Sequence, residues 1–149
     1  MNFSNAIFTS NHIRFIAHIP YIARIYTHED GMKITLKKFG GDTVAFGKYD
    51  DEKIAWKVLE KKDNELILLS DHGIAKHAYH DKNKAVTWET CTLRKWLNDT
   101  FYQKAFSDKE NAQIIKTKVV NEENDAFDTY ETLNRVFPIS FSRDMRLET

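Results

Sequence analysis

The sequence predicts a small α+β protein in which a mixed or antiparallel sheet carries two short helices. Several segments in the first half alternate apolar and polar residues, which is the period of a half-buried strand. Near residue 92 the apolar spacing changes to that of an amphipathic helix, and a second helix start follows near residue 107. Because 149 residues is close to the length of one domain, we expect residues 1–149 to form a single domain.

The first strands are predicted from two alternating runs on either side of a turn. Every odd position within 13–25 is apolar, which predicts a strand. Isoleucine also recurs there every three residues, so a helix is the alternative. Pro20 opposes a helix interior and would restrict a strand to the edge of a sheet. The segment 28–31 contains Asp-Gly, and 32–36 alternates again. Residues 1–38 are therefore predicted to form an added N-terminal β-hairpin.

The rest of the sheet is expected in a core of residues 42–140. Three runs, 43–49, 54–58 and 66–69, are separated by polar turns and predict a meander. The last of these runs is continuously apolar, which suits a buried central strand. A loop at 72–86 follows.

The helices are predicted from spacing and from capping residues. Apolar residues within 92–106 recur at helical intervals, and Thr90 is a candidate N-cap. Ser107 and Glu110 have the spacing of a capping box, which predicts the start of the second helix. Short strands on either side of an acidic loop at 121–131 complete the expected fold.

A series of short segments in the predicted core resembles a known family. In chain order these segments are FGKY, IAWKVL, LILLS, TWETCTLRKWLN, AFS and VFPIS. Their order resembles the bacterial domain-of-unknown-function family 6273. The resemblance implies an architecture related to C-type-lectin-like and sulfatase-modifying-factor-like folds, which display ligand-binding loops on a compact α+β core. It implies no activity.

The chain departs from that family in its second half. Family members usually continue into a WWLRSPG…GVRPA pattern, which this sequence lacks. The expected fold is therefore a truncated one, in which the hairpin of residues 1–38 supplies strands that the absent half would have supplied.

A group of histidines near the single cysteine supplies the candidates for metal binding and catalysis. His77 and His80 have a usable ligand spacing and Cys91 follows, but no paired CxxC or HExxH motif is present. A thiolate at a helix start could act as a nucleophile with His72, His77 or His80 as its base. A buried core thiol is the expectation for Cys91, and no cofactor is expected.

Two further groups are candidates for ligand or partner contacts. Trp88 and Arg94 could form a stacking platform for a sugar or a base. The acidic residues Glu122, Glu123 and Asp125 lie in a loop that lacks the glycine and the spaced glutamate of a calcium loop. A solvated charged loop is the expectation for them, and a surface that faces a partner is the alternative.

The basic residues of the N-terminal hairpin are the main candidates for recognition of an acidic partner. They are Arg14, Arg24, Lys33, Lys37 and Lys38. Lysines on an edge strand also prevent aggregation, so protection of the edge is the alternative. The whole chain balances 22 basic against 22 acidic residues, which disfavours nucleic acid as the target.

No motif unites a nucleophile, a base and oxyanion donors, so we expect a non-enzymatic protein-binding module. Its small size and truncation suggest an inhibitor of a host defence protein, encoded by a phage or a mobile element. One cysteine, no apolar run of the ~20 residues that a membrane span needs and no signal peptide predict a cytoplasmic protein without a membrane segment. The alternatives are a small hydrolase or metal-dependent enzyme, and a nucleic-acid binder acting through the basic hairpin.

Overall fold

The structure is a computed structural model that describes residues 2–4, 16–17, 20–29, 32–78, 80–82, 86–122 and 130–138. In these residues the fold is α+β, as predicted: a large sheet and smaller sheets are accompanied by two helical segments. None of the helices in these ranges is both long enough and apolar enough to cross a membrane.

The strands of the described chain are short, except for those of the central meander. In chain order they are β1 (Asn2–Ser4), β2 (Ile16–Ala17), β3 (Tyr21–Tyr26), β4 (His28–Glu29), β5 (Met32–Lys33), β6 (Lys37–Gly40), β7 (Thr43–Tyr49), β8 (Glu52–Lys62), β9 (Glu65–Ser70), β10 (Lys76–His77), β11 (Ile114–Ile115), β12 (Thr117–Glu122), β13 (Tyr130–Asn134) and β14 (Val136–Pro138).

The large sheet has the strand order β11-β3-β9-β8-β7-β6, and β14 pairs with β3 along the same edge as β11. The antiparallel meander β7-β8-β9 confirms the sequence prediction, and β9 is central as expected, between β3 and β8. A second sheet contains β1, β12 and β13, with β1 parallel to β12. The pairs β2–β10 and β4–β5 form two further small sheets, so a short strand interrupts the predicted loop at 72–86.

The residues before position 42 pair differently from the predicted hairpin. Among the described strands of this part, only β4 and β5 pair with each other, through His28 with Lys33 and Glu29 with Met32. Strand β3 begins directly after Pro20, so the missing N–H of the proline lies outside the ladder and β3 occupies the interior of the sheet. The division of the chain into an added hairpin and a core stays a prediction.

Strand β3 is buried on both faces rather than on one. Its consecutive residues Tyr21, Ile22 and Ala23 are all at most 1% exposed. An interior strand that is covered on both sides does not need the alternation of a half-buried strand. The single strand predicted across 13–25 therefore corresponds, in the described residues, to two strands, β2 and β3, and β3 lies inside the sheet instead of at an edge.

The helical segment 92–105 is continuous but changes its hydrogen-bond period. It consists of α1 (Thr92–Trp96), a π-helical turn (Leu97–Phe101) and α2 (Tyr102–Ala105). The N-cap is Cys91, whose Sγ accepts from the N–H of Arg94, and not the predicted Thr90.

The second helix, α3 (Asp108–Gln113), has the predicted capping box. The side chain of Ser107 accepts from the N–H of Glu110, and the carboxylate of Glu110 accepts from the N–H of Ser107. Two donors that a helix start leaves unpaired are thereby satisfied.

The core forms where the helical segment packs on the large sheet. Leu93, Leu97 and Phe101 are fully buried along one side of the helix, and Trp56 is fully buried on β8. The ring of Phe101 meets that of Tyr21 edge to face at 5.5 Å. Burial of each such side chain stabilises the fold by about 1.5–3 kcal/mol.

Candidate functional site

The start of the helical segment is tied to strand β13 by the side chain of Asn134. Its Oδ1 accepts from Nε1 of Trp88 at 3.1 Å and from Nε of Arg94 at 2.9 Å. Its Nδ2 donates to Oγ1 of Thr132 at 2.9 Å. In addition, the N–H of Trp88 donates to the hydroxyl of Tyr130 at 2.6 Å. The most distinctive segment of the sequence therefore fastens the helix to a strand some 40 residues further on.

The side chain of Asn98 fastens the same helix to β14. Its Nδ2 donates to the carbonyls of Arg94 and Val136, at 3.0 and 2.9 Å. Its Oδ1 accepts from the N–H groups of Arg135 and Val136. The amide thus replaces a strand partner for β14, from inside the π-helical turn.

Trp88 does not fit the stacking role considered for it. Its side chain is 0% exposed and its indole N–H is bonded to Asn134, so no ring face is open to a ligand. A large aromatic side chain whose polar atom is bonded in this way is a core residue. Arg94, in contrast, is only partly buried and reaches the surface.

A groove of about 530 Å³ opens beside this junction and includes Arg94 in its lining. Its charged lining residues are Glu89, Arg94, Lys95, Asp99, Lys116 and Arg135. Cations therefore outnumber carboxylates in the groove, which lies between the first half of the helical segment and β13.

Cys91 is placed as a structural thiol. It is 1% exposed, its Sγ–H donates to the carbonyl of Trp88 at 3.3 Å, and its Sγ caps the helix through Arg94. A nucleophilic cysteine needs a partly exposed thiolate. The geometry gives the enzymatic alternative no support at this residue.

The three histidines of the 72–80 segment point to separate partners. The ring of His77 stacks on Trp96 with the centroids 4.7 Å apart. Nδ1 of His80 accepts from the N–H of Thr92 at 3.2 Å. Nε2 of His72 lies 3.3 Å from the carboxylate of Asp71.

These histidines do not form a metal site with Cys91 in the described part of the chain. Within it, no three His, Cys, Asp or Glu side chains converge in a way that could hold a metal ion. Each has a separate structural role instead: His77 stacks on Trp96, His80 accepts from a backbone N–H, and Cys91 caps the helix.

Several predicted contact residues fall outside the described ranges. Arg14, Glu123 and Asp125 lie there. Glu122 belongs to β12, where its backbone is in register with Ser4.

The basic residues of the N-terminal segment separate into two environments. Arg24 lies within β3, is 11% exposed, and has its Nε 3.6 Å from the carboxylate of Glu65 on the neighbouring strand. Lys33, Lys37 and Lys38 are exposed on β5 and β6. Among the basic residues of this segment that the structure describes, only these lysines are therefore exposed.

Lys37 belongs to a cluster with two lysines that sequence reasoning missed, and we call Lys37, Lys48 and Lys53 the lysine face. Lys48 on β7 and Lys53 on β8 are direct cross-strand partners, and all three side chains are exposed. The neighbouring Lys37 lowers the pKa of Lys53, through a side-chain hydrogen bond that favours the neutral amine and through repulsion between like charges, and Lys48 adds to the repulsion. Among the described residues, none of these three lysines takes part in an ion pair.

The missed pair could have been found from the turn between β7 and β8. Asp50 and Asp51 both have positive φ, 50° and 64°, as a two-residue hairpin turn requires. Such a turn places residue 49 opposite 52 and residue 48 opposite 53. The Asp-Asp pair was the available signal, although Asn-Gly or Asp-Gly is the commoner form.

A shallow recess of about 220 Å³ adjoins the lysine face and shares Lys53 with it. Phe39, 51% exposed, and Ile74 supply apolar surface, and the small side chain of Ala55 leaves room between the walls. Glu52 is the acidic residue of this lining. The surface thus combines positive charge with an apolar hollow.

Comparison with known proteins identifies the class to which this scaffold belongs. The family model described as domain of unknown function (DUF6273) matches residues 63–142, just over half of the chain. The protein belongs to this family, and the resemblance seen in the sequence is confirmed. The match contains the junction around Asn98 and Asn134 and leaves the lysine face outside. No curated protein and no solved structure matches the chain.

Proposed function

We propose that the protein is a non-enzymatic protein-binding module that docks an acidic segment of its partner on the lysine face. The observation that carries the proposal is the placement of Lys48 directly opposite Lys53, with Lys37 beside them. Like charges directly opposite each other destabilise a sheet. A bound acidic segment would remove this repulsion.

Protection of the sheet edge does not account for the whole cluster. Lysines on an edge strand deter pairing with other chains, which would explain Lys37 and Lys38 on β6. Lys48 and Lys53 lie near the tip of the β7–β8 hairpin, beyond Ala45 and Trp56, where the pairing with β6 and with β9 ends. Edge protection does not require two lysines to face each other, so their placement favours a role in recognition, in which basic patches steer acidic partners.

The neighbouring recess indicates what else the partner segment carries. An aromatic or aliphatic side chain would fit between Phe39 and Ile74, over Ala55. Binding energy in protein interfaces concentrates in such anchored apolar side chains, while charged groups set orientation and rate. The proposed ligand is thus an acidic segment with one apolar anchor.

The buried, capping thiol of Cys91 supports binding over catalysis. A phosphate backbone would also be attracted to three lysines, but the neutral net charge of the chain favours an acidic protein. The inhibitor role, the bacterial or phage origin, the cytoplasmic location and the C-type-lectin-like relationship stay predictions.

The test is the binding of defined peptides measured by fluorescence anisotropy. The probe is an extended Asp/Glu-rich peptide with one central Phe, and a matched peptide carries Ser in place of Phe. We expect the Lys48→Glu/Lys53→Glu variant to bind the Phe peptide at least about tenfold more weakly, and the wild type to prefer Phe over Ser.

The control variant is Lys104→Glu/Lys109→Glu, which changes exposed lysines on the helices by the same total charge. It should retain the affinity of the wild type within about twofold. If both variants lose the same affinity for the peptide, the effect comes from net charge and not from the lysine face. If a single-stranded oligonucleotide binds more tightly than the peptide, with a steep salt dependence, the partner is a nucleic acid and not a protein.

A further inference from the structure

The groove beside the helical junction holds more cationic than acidic side chains. Arg94, Lys95, Lys116 and Arg135 all line it. In the described residues none of the four takes part in an ion pair. The positive charge of the groove is thus not neutralised by ion pairs within the described residues.

The two carboxylates in the lining reduce this positive charge but do not cancel it. Asp99 accepts a hydrogen bond from Nε2 of Gln103 at 3.0 Å, and Glu89 contributes its backbone carbonyl to Arg94 at 3.3 Å. Neither carboxylate lies within ion-pair distance of a groove cation.

Arg94 is the fixed group of the groove. Its Nε donates to Oδ1 of Asn134 and its Nη2 to the carbonyl of Leu133, both at 2.9 Å, and its Nη1 donates to the carbonyl of Glu89. All three acceptors are neutral, so they orient the guanidinium without cancelling its charge. A guanidinium carries five N–H donors, and one N–H on each terminal nitrogen is left for a ligand.

Arg135 is held nearby by different contacts. Its guanidinium lies 4.7 Å from the centre of the Tyr102 ring, and its backbone N–H donates to Asn98. Attraction to an aromatic face holds a cation in place without a hydrogen bond to an acceptor. Two guanidinium groups are therefore positioned by the fold, and Lys95 and Lys116 add exposed charge at the rim.

We propose that this groove is a binding site for a small anionic ligand that carries a phosphoryl or carboxylate group, with Arg94 as its fixed contact. Arginine recognises both groups through paired N–H donors, and a pre-oriented guanidinium loses little entropy on binding. The site is built by the family-matched part of the chain and is independent of the lysine face.

The experiment titrates the full chain at low salt with pyrophosphate and, separately, with citrate, by calorimetry and by backbone amide shifts in NMR. We expect saturable binding of at least one probe, with shifts concentrated in residues 89–99 and 133–135. The tighter probe identifies the group: pyrophosphate for a phosphoryl ligand, citrate for a carboxylate.

Arg94 also holds Asn134, so its substitution can unfold the junction and is not the deciding variant. Lys116→Gln/Arg135→Gln removes two groove charges without touching the bonds to Asn134. It should weaken binding at least about tenfold, while Lys104→Gln on the same helical segment should stay within about twofold.

Three results would overturn the site: no binding at about 10 mM probe, an unchanged affinity in the Lys116→Gln/Arg135→Gln variant, or amide shifts confined to residues 37–53. The Lys48→Glu/Lys53→Glu variant separates this site from the protein-docking surface. It should lose the acidic peptide and keep the small anion.

Discussion

The carboxylate of Glu110 and the backbone N–H of Gly47 form a hydrogen bond of 2.9 Å that joins helix α3 to strand β7. The other carboxylate oxygen of Glu110 accepts from the N–H of Ser107, also at 2.9 Å. A capping box satisfies donors at the start of its own helix. Here the same carboxylate also holds a strand that is 63 positions away in the sequence.

Replacement of Glu110 by Ala should therefore cost more than the loss of a cap. Loss of the Glu110 half of the capping box costs about 0.5–1 kcal/mol, and loss of a charged acceptor for Gly47 adds about 1.5–3 kcal/mol, for a total of roughly 2–4 kcal/mol in the free energy of unfolding. Urea denaturation measures this loss. The control is Asp108→Ala in the same first turn, expected at about 0.5 kcal/mol. Similar losses in both variants would contradict the role of Glu110.

Gly47 is required for a close approach as well as for its hydrogen bond. Its φ is +79°, and a Cβ there would lie 2.5 Å from Cε1 of Phe106 and 3.0 Å from the carbonyl of Ala105. Gly47→Ala should destabilise by about 2–4 kcal/mol, from backbone strain together with overpacking.

Two other glycines separate these two causes. Gly41→Ala would introduce only the backbone strain of φ +55°, because nothing lies within 4 Å of the added Cβ. It should lower the free energy of unfolding by about 1 kcal/mol. Gly40→Ala meets neither and should change stability by less than about 0.5 kcal/mol. Thermal denaturation of the three variants should rank them in this order, and equal losses at Gly47 and Gly41 would exclude the clash with Phe106.

The parts of this fold that the sequence predicts are those set by neighbours along the chain. Ser107 and Glu110 lie three residues apart, so the capping box can be recognised without tertiary information. The bond from Gly47 to Glu110 cannot, because nothing local relates the two positions. The N-cap was misplaced for a local reason: the hydroxyl of Thr90 bonds back to Thr87, which leaves Cys91 to cap the helix.

In the candidate sites, too, contacts between residues close in the sequence could be predicted, and contacts between distant residues could not. Lys48 and Lys53 become neighbours through a two-residue turn, so their pairing was accessible from the sequence. Their contact with Lys37 depends on a register between β6 and β7 that includes a bulge, and only the structure gives it. Arg94 was expected near a ligand, but its partner Asn134 is 40 positions away and could not be anticipated.

Asn98 should be one of the most sensitive positions of the helical segment. Its amide makes hydrogen bonds with Arg94, Arg135 and Val136, and Ala can replace none of them. Asn98→Ala leaves several part-buried backbone groups unpaired and should cost about 2–4 kcal/mol. The control is the exposed Thr100→Ala in the same helical turn, expected within about 0.5 kcal/mol. Amide hydrogen exchange of β14 should accelerate only in the Asn98 variant, and unchanged protection there would argue against this tie.

Removal of residues 1–38 should abolish cooperative unfolding. The deletion takes away β3, which pairs with β9 on one side and with β11 and β14 on the other. The exposed edges and the loss of the four fully buried residues of β3 would exceed the net stability of a small domain, about 5–15 kcal/mol. Circular dichroism during urea titration measures cooperativity. A deletion product that melts in one sharp transition would show that β3 is dispensable.

The hydroxyl of Tyr21 should make the protein sensitive to alkali. Burial, and to a lesser degree the charge of Tyr49, raise the pKa of Tyr21 above its ordinary value. The folded state therefore keeps a proton that the unfolded state releases above about pH 10, so stability is present below that pH and falls as the pH rises beyond it. Tyr21→Phe should weaken this fall.

At neutral pH the same substitution should be neutral or stabilising by about 1 kcal/mol, because the buried Oη of Tyr21 has no hydrogen-bond partner in the described chain. Tyr130→Phe is the matched control. Its hydroxyl accepts from the N–H of Trp88 at 2.6 Å, so its loss should destabilise at neutral pH by about 1–3 kcal/mol. Free energies of unfolding from about pH 7 to about pH 11 test both effects. The stability difference between Tyr21→Phe and the wild type should widen above about pH 10, and a constant difference would show that Tyr21 does not control the alkaline limit.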